Sequence, residues 1–177
     1  MLAHQRNDTP LRVASVVKES IVDGPGIRLV VFFQGCPHNC PGCHNPQTHP
    51  MDGGSLFSFQ EVLDMARQNP MLRGITLSGG EPFVQARAAA MLAQTAKSAG
   101  LDVVTYTGYT FEQLQAWSLP DKNDIQALLY ATDILIDGPF LEKERTLDAA
   151  FKGSSNQRII DVQATLAATG IIVPAQL

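Results

Sequence analysis

Apolar and polar positions along the chain fall into short blocks of two kinds. Blocks rich in β-branched and aromatic residues cover 11–17, 27–33, 74–77, 102–106, 134–136 and 158–160, and read as strands. Blocks with helical spacing lie between them. Ser58-Phe59-Gln60-Glu61 has the form of a capping box and opens a helix to about Gln68. An alanine-rich helix is predicted over 84–99, with Gly100 as its stop. Thr110-Phe111-Glu112-Gln113 repeats the capping-box pattern before a short helix; further helices are predicted over 125–130 and over 162–168, the last stopped by Gly170. The order β-β-α-β-α-β-α-β predicts an α/β fold with a largely parallel sheet. Too few strands are present for a closed eight-stranded barrel, so the expected architecture is an open partial (β/α) barrel of about five to six mostly parallel strands.

The glycine-rich and polar motifs all follow strands. Gly35 onward follows the second, Ser78-Gly79-Gly80-Glu81-Pro82 the third, Thr107-Gly108 the fourth and Asp137-Gly138 the fifth. Parallel α/β sheets bind ligands at the carboxyl ends of their strands, so these loops are expected on one rim.

Composition narrows the class. A chain of 177 residues, 45% hydrophobic, suits one domain over 1–177, with 1–10 as a flexible, polar N-terminal segment. A net charge of −4 without a basic run gives no electrostatic case for nucleic acid or an anionic membrane. The apolar runs are strand-sized and the first residues lack the apolar stretch of a secretory signal, so a soluble cytoplasmic protein is expected. The three cysteines are odd in number and all lie within 36–43, which suits a reducing compartment and a metal rather than a disulfide framework.

The cysteine loop reads Gly35-Cys36-Pro37-His38-Asn39-Cys40-Pro41-Gly42-Cys43-His44-Asn45, a C-x3-C-x2-C spacing. Thiolates suit zinc or an iron–sulfur cluster. A cubane cluster ordinarily takes four cysteines, so with three it would keep one iron open for chemistry. The alternative is a zinc-stabilised binding module, a Cys3His site with His38 or His44 as the fourth ligand. In Gly79-Gly80-Glu81-Pro82 the glycines let backbone approach a ligand and the carboxylate suits an ammonium group. The same four residues also make an ordinary strand-to-helix turn with proline in the first turn.

C-x3-C-x2-C after a strand resembles the signature of radical S-adenosylmethionine (SAM) enzymes, and Gly79-Gly80-Glu81 resembles their GGE motif. The resemblance implies a shortened radical SAM barrel with a [4Fe–4S] cluster on Cys36, Cys40 and Cys43 and SAM chelating the open iron. It implies that one electron through the cluster cleaves SAM to a 5′-deoxyadenosyl radical, which abstracts a substrate hydrogen. Gly79, Gly80 and Glu81 would meet the SAM amino group. Many members carry an aromatic residue before the third cysteine; here Gly42 stands there, so the adenine contact would come from backbone at Gly42, Cys43 and His44. No separate catalytic side chain is implied, and no triad or carboxylate pair is evident.

Asp23-Gly24-Pro25-Gly26-Ile27-Arg28 and Phe32-Phe33-Gln34-Gly35-Cys36 resemble the glycyl-radical-enzyme activases. Within them, Tyr106-Thr107-Gly108-Tyr109 and Phe151-Lys152-Gly153-Ser154-Ser155-Asn156-Gln157-Arg158 resemble the activators of anaerobic ribonucleoside-triphosphate reductase. Implied partners are the large subunit of that reductase, as protein substrate, and a flavodoxin or ferredoxin-type electron donor. Activation of pyruvate formate-lyase, or a small-molecule radical SAM reaction such as formation of the deazaguanine ring, stays open at this point. So do plainer roles for these segments: a tight turn at Asp23 to Gly26, packing by Tyr106 and Tyr109, a surface loop at Gly153 to Asn156 and an ordinary ion pair at Arg158.

Overall fold

The computed structural model describes residues 9–118, 120–169 and 171–177. The expected flexible segment at 1–10 falls mostly outside them, and so does the expected stop at Gly170. One seven-stranded sheet organises the chain: β1 (Leu11–Ser20), β2 (Arg28–Phe33), β3 (Ser55–Phe57), β4 (Gly74–Gly79), β5 (Asp102–Tyr106), β6 (Ile134–Asp137) and β7 (Arg158–Asp161), in the order β3-β1-β2-β4-β5-β6-β7. The helices are α1 (Phe59–Arg67), α2 (Ala86–Ser98), α3 (Phe111–Gln115), α4 (Lys122–Ala131) and α5 (Val162–Ala167).

Alternation along the strands divides the sheet into two faces. Leu29, Val31, Phe33, Ile75, Leu77, Val103 and Leu135 join one core with Leu63 of α1, Leu92 of α2 and Leu128 of α4. The intervening Val30, Thr76, Val104 and Ile136 are also buried, but outside that core. The connection between β1 and β2 crosses this second face: Thr76 donates to the Asp23 carbonyl at 2.8 Å, and a side chain on Gly24 would meet Arg28 and Val104. Alanines on α2, such as Ala89, Ala93 and Ala96, are fully buried, which lets that helix lie close to the sheet. Both capping boxes form with both arms, at Ser58 and at Thr110.

The sheet is open, as expected, but less parallel. β2, β4, β5 and β6 run parallel, whereas β1–β2, β1–β3 and β6–β7 are antiparallel. Parallel neighbours need a crossover, and among the described residues only a single 3-10 turn, Glu142–Glu144, lies between β6 and β7. β3, a three-residue strand absent from the sequence reading, is too short to show a period. The strand β1 extends to Ser20, three residues past its predicted end, and α4 starts at Lys122, three before its predicted start. The alanine-rich helix starts at Ala86, because Pro82–Gln85 forms a 3-10 turn. The C-terminal tail lies along the outer edge of β7: Asp161 N donates to Val173 O at 2.9 Å and Ala175 N to Ile159 O at 3.0 Å. Among the described residues no helix is long and apolar enough to cross a membrane.

Candidate active site

The cysteine loop leaves the carboxyl end of β2 and is closed at its base. Gly35 N donates to Thr48 O at 2.8 Å and Cys36 N to His49 O at 3.1 Å. The Gln34 side chain donates to Pro50 O at 2.6 Å, while Gln85 bonds both Arg12 and Gln34 backbone. Inside the loop, Cys43 N reaches Cys40 O at 3.2 Å, and Asn39 takes the left-handed conformation that asparagine tolerates. The Asn45 N–H points at Cys43 Sγ, 3.4 Å away, and Cys36 Sγ accepts from the His38 backbone. Burial pushes the Cys36 thiol up to about 11.

The Gly79-Gly80-Glu81 loop is joined directly to this one. The β2–β4 ladder continues past both strands, with Gly80 N donating to Phe33 O and Glu81 N to Gly35 O, both at 2.8 Å. Only glycine fits here: a Cβ on Gly80 would lie 2.4 Å from the Gly35 oxygen, and one on Gly79 (φ +90°) 2.6 Å from Phe32 Cα.

Glu81 sits where the loops join. Its carboxylate is fully buried and is not among the groups lining the cavity described below. It accepts from Phe83 N at 3.0 Å, Thr107 Oγ1 at 3.0 Å and Gly108 N at 2.9 Å, and meets His38 Nε2 at 2.8 Å. The loops after β2, β4 and β5 therefore meet on one carboxylate. Gly108 allows this closeness, since a Cβ there would strike the His38 ring at 2.5 Å.

These loops surround a cavity of about 540 Å³, within the range of small-molecule sites. Cys36, Cys40, Cys43, Gly79 and Gly80 all line it, with His44 and Asn45. Gly42 does not: it is exposed, and its α-carbon faces the Glu142 carboxylate. The second sheet face contributes Phe32, Ser78 and Tyr106. Burial pushes the Tyr106 phenol above its ordinary range, so it presents a neutral hydroxyl. Tyr109 instead packs edge-on between His38 and Trp117, at 4.5 and 5.0 Å.

The remaining segments singled out in the sequence build the walls. Arg28, fully buried, donates to Thr76 Oγ1 and Ile75 O at 2.7 Å and to Pro25 O at 3.0 Å, and pairs with Asp102 at 2.5 Å. It fixes the connection that carries Val22 and Asp23 to the cavity. The 138–157 connection covers the opposite side with Phe140, Phe151, Lys152 and Gln157. Phe140 packs on the His44 ring at 4.9 Å. Arg158 anchors this connection, gripping buried Asp137 and, with two bonds of 2.9 and 2.7 Å, Glu112. Its guanidinium holds the Glu112 carboxyl down to about 2. The sequence offered His38 only as a possible zinc ligand and Thr107 only within the motif after β5, and gave no signal for Phe140.

The donor set favours a cluster over a single ion. Among the described residues, no three His, Cys, Asp or Glu side chains converge closely enough to hold one metal ion, although the three thiols share one cavity. Tetrahedral zinc would need four ligands at about 2.0–2.3 Å from one point. Three thiols lining one cavity suit an iron–sulfur cluster. His49 Nε2, on a residue lining the same cavity, is sealed from water without a hydrogen-bond partner.

Comparison with known proteins agrees with the geometry. Residues 22–160 match the family model described as a 4Fe-4S single cluster domain. The anaerobic ribonucleoside-triphosphate reductase-activating protein of Vibrio cholerae is 33% identical over 147 residues, covering 78% of this chain and 90% of that protein. The pyruvate formate-lyase-activating enzyme of Clostridium pasteurianum is 46% identical, but over 79 residues, 42% of this chain and 33% of its own length. The solved structure of QueE from Escherichia coli overlaps 57% of this chain and 52% of that one, at 20% identity and a TM-score of 0.43, and adds nothing to the assignment. The chain belongs to the 4Fe-4S single cluster family, among the radical SAM activases of glycyl-radical enzymes, and within them to the anaerobic ribonucleoside-triphosphate reductase-activating proteins.

Proposed function

We propose that this protein installs the glycyl radical on the large subunit of anaerobic ribonucleoside-triphosphate reductase. The observation that carries the reading is the meeting of three thiols with the Gly79-Gly80 loop around one cavity on the carboxyl rim. Cys36, Cys40 and Cys43 would hold the [4Fe–4S] cluster, which would supply the one-electron reductive cleavage of S-adenosylmethionine needed to remove a hydrogen atom from a backbone glycine of the partner.

The chain's own residues hold and orient. Gly79 and Gly80 offer backbone to the amino-acid end of SAM, and their loop cannot drift from the thiols because it is bonded to Phe33 and Gly35. Glu81 acts through its buried carboxylate, which sets where that backbone lies. Cys43 and His44 flank the adenine side, and Gly42 shapes the same turn. Phe32 and Tyr106 form the floor without supplying a base, and hydrogen-atom transfer requires none. The electron comes from a flavodoxin or ferredoxin-type donor, and a reducing cytoplasm suits three unpaired thiols.

Activation of pyruvate formate-lyase is the second reading, carried by the Clostridium relative, whose match is confined to 42% of the chain. Electron paramagnetic resonance after anaerobic reconstitution separates the two. A glycyl signal on the reductase subunit, absent on pyruvate formate-lyase and abolished by Cys40→Ala, is expected. A reconstituted protein that cleaves SAM yet radicalises neither partner refutes the proposal.

A further inference from the structure

The cavity has a mouth as well as a floor. Large apolar side chains left in water are ordinary where they are scattered singly. Two of those on this chain also line the cavity: Val22, 71% exposed, and Leu147, 87% exposed. A side chain that lines a cavity and still keeps most of its surface in water sits at the opening. The two come from opposite walls, Val22 from the β1–β2 connection and Leu147 from the 138–157 connection. Ile21, 73% exposed, adjoins Val22. Both positions are braced. Val22 N donates to Ser20 Oγ at 3.3 Å, and that hydroxyl donates to Asp23 Oδ2 at 2.5 Å. Leu147 rides on a turn closed by Thr146 N to Gly153 O and by Asp148 N to Thr146 Oγ1, both at 3.2 Å. In the same turn Phe151, which also lines the cavity, is held at φ +62°, a conformation a bulky residue seldom takes. Strain of this kind persists where the surroundings fix it, and it gathers at ligand clamps.

We infer that Val22 and Leu147, with Ile21 and Phe151, form an apolar collar that grips the protein substrate through apolar side chains on either side of its target glycine. The inference rests on the function proposed above. A small-molecule site encloses its ligand, so side chains this open to water are not what holds SAM. A protein segment that reaches the thiols from outside passes between the two walls and covers both side chains as it does. Glycine has no side chain to be recognised, so selection falls on its neighbours. The collar groups are aliphatic and aromatic, and the neighbours they suit are apolar. Because both walls are fixed before binding, little ordering is left to be done when the partner arrives.

The test is binding of the large reductase subunit to the anaerobically reconstituted protein, as wild type, Val22→Ser, Leu147→Ser and the double variant. Met71→Ser, at an apolar side chain 70% exposed but outside the cavity, is the control. Each collar variant is expected to raise the partner Kd roughly tenfold, and the double variant roughly a hundredfold, with Met71→Ser at the wild-type value. SAM affinity, cluster iron content and SAM cleavage without partner are expected to match wild type in all of them. Serine in place of the apolar neighbours of the target glycine weakens binding to wild type and adds little to the loss in the double variant. With wild type placing the glycyl radical on the subunit, a double variant that binds it as tightly as wild type overturns the inference alone. So does a SAM affinity that falls in step with partner affinity, which assigns the two side chains to the SAM pocket. A wild type that neither binds nor radicalises the subunit overturns both the inference and the function it rests on.

Discussion

Glu81→Gln probes the junction of the three loops. The wild-type carboxylate accepts at both oxygens, from two backbone N–H groups, one hydroxyl and the His38 ring. Glutamine keeps one oxygen and presents an NH2 on the other side. That NH2 faces either the Phe83 N–H or the Gly108 N–H, and neither can accept. Thr107 can turn its hydroxyl to compensate, but a backbone N–H cannot. One orphaned buried N–H costs about 1–3 kcal/mol and the weakened remaining bonds add to it, so the loss is roughly 2–3 kcal/mol. For a domain of this size each kcal/mol lowers Tm by roughly 2–4 °C, giving a drop of about 4–12 °C. The measurement is calorimetry on the cluster-free protein, with the SAM dissociation constant measured separately on the reconstituted one. A role confined to the SAM amino group would leave the cluster-free Tm unchanged and collapse SAM affinity; that pattern refutes the reasoning.

Two further outcomes follow from the anchors at the walls. Arg28→Met removes a buried cation and strands the Ile75 and Pro25 carbonyls, so a loss of about 3–5 kcal/mol and a Tm lower by roughly 6–20 °C are expected; a Tm within measurement error of wild type counts against Arg28 as the clamp on the β1–β2 connection. Glu112, whose carboxyl Arg158 holds down to about 2, adds stability that is full above the unfolded carboxyl pKa and is lost as pH falls through the folded one. The pair is open to solvent, so wild type should exceed Glu112→Gln by no more than about 1 kcal/mol at pH 6, a gap that closes in chemical denaturation between about pH 4.3 and pH 2; a gap independent of pH sinks the assignment.

Local chemistry made the scaffold legible. The capping boxes at Ser58 and Thr110 are short-range patterns that act within one turn, and both form as read. The continuous apolar run at 29–33 marked a buried strand, though not which face meets the helices, and the habit of parallel sheets put the cysteine and glycine loops on one rim. Contacts between loops were hidden. Nothing in one dimension brings His38, Thr107 and Gly108 to the Glu81 carboxylate. Nor does the sequence show that the turn from Cys40 to Cys43 sets Gly42 against Glu142. The 138–157 connection has no apolar period and yielded no architecture, although it supplies one wall.

That wall has a property set by the reversal of the last strand. Asp137 and Arg158 are register partners, so the 138–157 connection departs from the rim and returns to the same rim without visiting the far end of the sheet. It is held by its own bonds, with Ser155 N to Glu144 O and Gln157 to Gly138, Gly153 and Ser154, and meets the cysteine turn at Phe140 and Glu142. Closing a longer loop costs little additional entropy, since each doubling adds only about 0.6 kcal/mol. The segment is therefore a self-braced flap on the rim: its two ends are pinned side by side by strand register, and the wall it forms beside the cysteine turn does not depend on the far end of the sheet.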